Sequence, residues 1–207
     1  MKLKHSKVGE FVPVTTKKGL YYGGYQNALG ELGVAKFYRD RSCVVTAFTN
    51  TYLYLYHKGE RFTLEEYNHY HYDFYKKIRP HINGVPTVKA LNHRVNRIRR
   101  ERNLTLYANI MQEYFIRRHT TEEKLAFINK ALSKNCPVIF INWMSENVKV
   151  LAHHGVTITE CNDMGDYHEL VISSWGNVYK INFEIFDKQL KSYSGLIYFE
   201  RNDYEIH

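Results

Sequence analysis

Cys43 is the residue of this sequence best suited to nucleophilic chemistry. It follows Arg39-Asp-Arg-Ser42 and opens a long segment that we interpret as a buried helix. Unpaired backbone amides and the positive end of the helix dipole favour a thiolate at the start of a helix. Because the dipole contributes only about 0.3–1 kcal/mol at an exposed site, activation also requires a nearby imidazole. The alternative is a buried cysteine with a structural role.

Among the eleven histidines, His153 and His154 are the best placed to supply that imidazole. They enter a predicted strand, so the sheet could hold either ring rigidly at the edge of a cleft. His69 and His71 are two residues apart on a predicted helix and therefore point to different faces, which makes them a poor metal pair. The sequence has no HExxH or paired CxxC zinc motif, no GxGxxG and no P-loop. We therefore expect neither a metal nor a cofactor.

The segment that carries Cys43 has mixed signals. Residues 43–56 are rich in β-branched and aromatic side chains, which suit a strand. The segment is long for a strand, however, and five of its residues fall on one face at a period of 3.6 residues. They are Val44, Ala47, Phe48, Thr51 and Leu55. We predict a buried helix.

Capping residues predict three further helices. Thr63 and Thr120 each begin a capping box, and the first of these helices should end near Arg79, before a proline. Thr87 caps the helix between them. The segment Leu104–Ile110 is predicted to be a strand.

The character of the sequence changes at Pro137. Five segments rich in Val, Ile and aromatic residues follow, separated by turns, and they are Val138–Trp143, Val156–Cys161, Glu169–Trp175, Val178–Phe183 and Gly195–Glu200. A run of helices followed by antiparallel strands is typical of the α+β class. We predict one domain over residues 1–207, with a helical half at about 21–135 and a sheet half at about 136–207.

The order of these pieces resembles that of papain-like cysteine peptidases, and in particular the compact C39-like forms of Gram-positive bacteria. The resemblance covers about residues 21–200, and its segments are Tyr22-Gly-Gly-Tyr-Gln26, Ser42-Cys43, Pro137–Trp143, His154–Thr159, Ile172–Gly176 and Gly195–Phe199. It implies a papain-like fold, with a helical half packed against an antiparallel sheet half and the cleft between them. It also implies hydrolysis of a peptide or amide substrate, or acyl transfer, through a thioester.

The resemblance further implies roles for four residues. Cys43 would be the nucleophile, and His154, as the residue that begins the strand, would be the general base and later the general acid. Gln26 resembles the glutamine that helps to form the oxyanion hole. Ser173 stands where papain-like enzymes often carry the Asn or Asp that orients the imidazole.

The serine is a departure from the family pattern. A serine can accept a hydrogen bond from the imidazole but cannot stabilise imidazolium as a carboxylate does. Asn177, Asp163 or Asp166 could fill the role instead. Ser42 and Val44 flank the nucleophile where many relatives have glycine, which narrows the space for a substrate backbone. A papain-like scaffold that has lost activity and binds a partner is therefore an alternative.

The charge balance of the chain favours acidic partners. Lys and Arg number 29 against 21 Asp and Glu, which gives a formal net charge of +8. The predicted helix at residues 88–102 has one apolar stripe and a strongly basic opposite face. This helix could bind nucleic acid or another anionic partner weakly, or it could simply be solvated.

The sequence gives no sign of a membrane or secreted protein. Its longest apolar runs fall far below the roughly 20 residues that a membrane-spanning helix needs, and no apolar region follows the basic N-terminus. Three cysteines are too few for a disulfide scaffold. We expect a cytoplasmic protein that does not insert into membranes.

Overall fold

The computed structural model describes residues 1–143 and 148–202. Within these ranges the chain forms seven helices and nine strands. The helices are a 3-10 helix at Gln26–Leu32, α1 (Lys36–Arg39), α2 (Cys43–Tyr56), α3 (Leu64–Ile78), α4 (Val88–Glu101), α5 (Thr121–Ser133) and α6 (Phe183–Asp187). The strands are β1 (Pro13–Thr16), β2 (Gly19–Tyr22), β3 (Phe62–Thr63), β4 (Leu106–Tyr114), β5 (Val138–Trp143), β6 (His154–Asp163), β7 (His168–Ser174), β8 (Asn177–Asn182) and β9 (Tyr193–Arg201).

The strands form two sheets. A three-stranded sheet has the order β2-β1-β3, and a six-stranded sheet has the order β4-β9-β5-β6-β7-β8. Every neighbouring pair in the larger sheet is antiparallel. The predicted α+β class is confirmed.

Helix α2 is buried over most of its length. Twelve of its fourteen residues are buried, and it packs against β5, β6 and α3. The hydroxyls of Thr49 and Thr51 donate to the carbonyls of Val45 and Ala47, at 2.8 and 2.9 Å. Because these bonds stay within the helix, the buried threonines need no outside partner. The strand-like composition of residues 43–56 thus reflects burial on all sides of a helix.

The predicted caps lie at the starts of their helices. Capping boxes form at Thr63 and Thr120, and the Thr87 side chain accepts from the amide of Ala90 at 3.1 Å. Helix α3 ends one residue before the predicted end, because Arg79 takes a left-handed conformation with φ 46°. Proline at position 80 then lacks the amide that a further turn would need.

The larger sheet also takes a strand from the helical part of the chain. The segment predicted as Leu104–Ile110 is β4, which pairs with β9 along nine residues. One edge strand of the larger sheet is therefore β4, which precedes α5 in the sequence. Residues before 136 thus contribute to this sheet. Residues 203–207, at the end of the predicted sheet half, lie outside the described residues. No helix in the described ranges combines the length and the apolar character needed to cross a membrane.

Candidate active site

The four candidate residues, which are far apart in the sequence, line one small cavity. Gln26, Cys43, His154 and Ser173 all contribute to its wall, and its volume is about 10 Å³. A cavity of this size holds about one water molecule. Cys43 is 8% exposed and His154 is 7% exposed, so the site is a narrow opening between α2 and the larger sheet.

Cys43 is the first residue of α2. The side chain of Ser42, the preceding residue, donates to the Tyr38 carbonyl at 2.8 Å instead of capping the helix. The sulfur of Cys43 accepts from the backbone amides of Gly155 and Val44, but burial nevertheless raises the pKa of this thiol. The helix start therefore does not produce a thiolate in the resting site, in line with the expectation that the dipole alone is too weak. Desolvation outweighs the favourable amides.

His154 is the first residue of β6, and its ring is fixed on two sides. Its Nε2 lies 2.8 Å from the Oγ of Ser174, and the Trp175 ring stacks on it with centroids 4.6 Å apart. Burial lowers the pKa of His154 from 6.5 to about 4. The imidazole is therefore neutral near pH 7, as is the Cys43 thiol.

The elements that carry Cys43 and His154 meet at Gly155. A Cβ added to Gly155 would lie 2.6 Å from Cγ2 of Val44 and 3.4 Å from its backbone nitrogen. Only glycine permits β6 to approach the first turn of α2 so closely. This contact places the residue after the histidine against the residue after the cysteine, which brings the two side chains to the same cavity.

His153, the other candidate base, does not line the cavity. It is exposed and has a left-handed conformation with φ 48°. Its ring lies 6.0 Å from that of Trp143. The sharp turn at His153 directs the chain so that the next residue enters the site.

The expectation that Ser173 accepts a hydrogen bond from the imidazole of His154 is wrong. The Oγ of Ser173 donates to the carbonyl of Tyr22 at 2.7 Å, and Ser174 is the partner of His154. Strands β7 and β8 are joined by a two-residue turn in which Trp175 and Gly176 both have positive φ. Neighbouring strand residues point to opposite faces, so a shift of one residue exchanges the two hydroxyls.

The other candidates for that role lie away from the cavity. Asn177 is exposed, and its Nδ2 donates to the carbonyl of Trp175 at 3.0 Å. Asp163 is at the opposite end of β6 from His154, a distance of roughly 30 Å at about 3.3 Å per residue. Asp166 is exposed in the turn that follows Asp163. None of the three can orient the imidazole.

Gln26 begins the 3-10 helix and points to the loop before Cys43. Its Nε2 donates to the carbonyl of Asp40 at 3.0 Å, and the side chain is 8% exposed. A side-chain amide carries two N–H groups, so this bond fixes the amide and leaves a second donor. Together with the backbone amide of Cys43, that donor could stabilise an oxyanion.

Sequence reasoning missed the residue that holds the glycine segment before Gln26. The Oδ1 of Asn50, on α2, accepts from the amide of Gly24 at 2.9 Å and from the Tyr67 hydroxyl at 2.8 Å. A Cβ at Gly24 would lie within 2.1 Å of three atoms of the Tyr67 ring and hydroxyl. A polar side chain in the middle of a buried helix was the signal for Asn50.

A second buried histidine lies behind the nucleophile. The Nε2 of His71 is 2.9 Å from the hydroxyl of Thr46, and that hydroxyl donates to the Ser42 carbonyl at 3.1 Å. Burial lowers the pKa of His71 to about 3. This neutral ring therefore supports the first turn of α2 without adding a charge.

The described residues contain no group of three or more His, Cys, Asp or Glu placed to hold a metal ion. Comparison with known families and with curated proteins finds no match to this chain. The chemistry of the cavity is therefore interpreted from its own geometry.

Proposed function

We propose that this chain is a cysteine-dependent peptide or amide hydrolase of papain-like fold, with Cys43 as nucleophile and His154 as base. The observation that supports this proposal most strongly is the shared cavity of Cys43, His154 and Gln26. The His154 ring is held there by the Ser174 hydroxyl and the Trp175 face. A nucleophile, an oriented base and oxyanion donors are the parts that acyl transfer requires.

The mechanism begins from a neutral Cys43 thiol and a neutral His154 imidazole. Ser174 lies at Nε2 of His154, so Nδ1 is the nitrogen that would take the proton of the Cys43 thiol as sulfur attacks the carbonyl carbon. The oxyanion would be stabilised by the Cys43 amide and the Gln26 side chain. His154 then returns the proton to the leaving amine, and a thioester on Cys43 remains. Water, deprotonated by His154, would release the acid and restore the thiol.

Ser174, which orients the imidazole of His154, limits the rate of acylation in this proposal. A hydroxyl holds the imidazole in place but does not neutralise the charge that it gains during attack. We therefore expect slower acylation than a carboxylate partner would allow. A partner-binding scaffold without activity is the competing function, and it is favoured by the same serine and by the small cavity.

The experiment that separates these functions is acylation by an activated ester. Full-length protein is treated with p-nitrophenyl acetate, and intact mass followed by peptide mapping locates the acetyl group. We expect a thioester on Cys43, and no adduct on Cys43→Ala. Cys136→Ala and Cys161→Ala are matched controls, because neither cysteine lines the cavity of His154 and burial raises the pKa of both thiols to about 11. Faster acylation of either of these cysteines, or none at all, would favour the inactive scaffold.

A further inference from the structure

The C-terminal end of α3, the residues after it and the basic face of α4 line a second cavity, with a volume of about 260 Å³. Among the described residues, no acidic side chain lines it. The basic side chains of its wall are Lys77, Arg79, His81, His93, Arg94 and Arg97. It shares no residue with the cavity that contains Cys43.

The positive charges of this cavity are only partly balanced. Lys77 and Arg97 both meet Glu101, which lies outside the wall. No carboxylate among the described residues lies within ion-pair distance of Arg79 or Arg94. Like charges held close together repel each other, so binding of an anion among them would be favourable.

Arg94 is the side chain that most requires a partner. Its Nη1 is buried and makes no hydrogen bond with any described residue. Burial and the nearby charge of Arg97 both lower the pKa of Arg94. A partly buried guanidinium without a counterion is costly. An anion in the cavity would offset the charge of Arg94 by Coulomb attraction, without contacting the buried Nη1.

We propose that this cavity binds a phosphate group of a small phosphorylated molecule. The guanidinium fork suits phosphate oxygens, which it can contact in pairs. The cavity is smaller than the roughly 300–1,000 Å³ of pockets that bury a whole drug-sized ligand. It therefore fits one or two phosphate groups, with the rest of the molecule outside. The proposal is independent of the chemistry at Cys43.

A nucleic acid fits the surface less well, because the basic face of α4 is not a continuous track. Arg99 donates to the carbonyl of Leu106 at 2.9 Å, and Arg102 is paired with Asp73. These contacts turn two of the cations of residues 88–102 toward the protein. The cations that line one cavity are thus better suited to a compact anion than to a phosphate backbone.

The test is calorimetric titration of the full-length protein with inorganic phosphate and with tripolyphosphate. We expect binding of tripolyphosphate that weakens about tenfold or more in Arg94→Gln, because the variant removes one positive charge from the cavity wall. Arg100→Gln removes the same charge from an exposed position of the same helix that does not line the cavity. We expect little change in this control, because salt screens a single exposed charge.

Three outcomes would overturn the proposal. The first is that tripolyphosphate fails to bind. The second is that Arg94→Gln and Arg100→Gln weaken its binding equally. The third is that a single-stranded RNA binds more tightly than tripolyphosphate and depends equally on both arginines. Thermal unfolding checks that Arg94→Gln is folded. If it is not, Arg97→Gln replaces it, because Arg97 is exposed and its loss leaves no buried group unpaired.

Discussion

The Ser174 hydroxyl, 2.8 Å from Nε2 of His154, orients the proposed base together with the stacked Trp175 ring. Removal of the hydroxyl in Ser174→Ala should slow acylation of Cys43 by about two- to tenfold, the net value of one hydrogen bond. Ser173→Ala is the matched control, because the Ser173 hydroxyl donates to a backbone carbonyl and not to the ring. The rate of acetyl transfer to Cys43 is measured in both variants. A larger loss of acylation rate in Ser173→Ala than in Ser174→Ala would contradict the assignment of Ser174 as the residue that orients the imidazole.

At the scale of elements, the close approach of β6 to α2 determines whether His154 and Cys43 share one cavity. Gly155→Ala places a methyl group 2.6 Å from Cγ2 of Val44, and such overpacking costs about 1–3 kcal/mol. We expect the strand to move away from the helix and acylation of Cys43 to fall. Val44→Ala removes the opposing methyl groups, so the double variant should recover acylation. If the double variant stays as slow as Gly155→Ala, the contact does not position the site.

The helices and strands could be predicted from local patterns, and the site only in part. The caps at Thr63, Thr87 and Thr120 and the length of residues 43–56 predict the helices, because capping and burial act locally. The choice between Ser173 and Ser174 depended on the register of β7. A one-residue shift reverses every side chain of a strand, and no local pattern fixes it.

The charge state of the site could not be predicted from the sequence at all. A cysteine at a helix start suggests a thiolate, but the depth of burial decides the pKa of Cys43. That depth depends on how β6 and the loop at Trp175 cover the helix, which is a property of the tertiary structure. The same holds for Arg94, whose missing partner is visible only once α3 and α4 are packed.

At the scale of the whole molecule, a buried ionic cluster joins distant parts of the chain. Lys124 on α5 contacts Glu113 on β4 at 3.0 Å and also contacts Asp187 on α6. Lys124→Met would leave two buried carboxylates without this cation, and we expect a loss of about 3–5 kcal/mol in the free energy of unfolding. Lys130→Met, at an exposed position of the same helix, should change it by about 0.5 kcal/mol or less. Urea denaturation measures both, and equal effects would contradict the structural role of the cluster.

The two buried histidines make the stability of the whole fold dependent on pH. The pKa values of His71 and His154 are lowered from 6.5 to about 3 and about 4, so the unfolded chain binds more protons. Stability is therefore complete above pH 6.5 and is lost as the pH falls toward 4, by about 1.4 kcal/mol per pH unit for each histidine. Urea denaturation at a series of pH values measures this slope. His71→Gln should roughly halve it, and an unchanged slope would contradict the burial of His71.

The central claim, that His154 takes the proton of Cys43, is tested most directly by the pH dependence of Cys43 acylation in the wild type and in His154→Gln. A neutral imidazole is required, so the wild-type rate should fall at acid pH with a midpoint near the His154 pKa of about 4. His154→Gln should lose this acid limb and acylate about 10²–10⁴-fold more slowly. Equal rates and the same profile in both proteins would contradict the account.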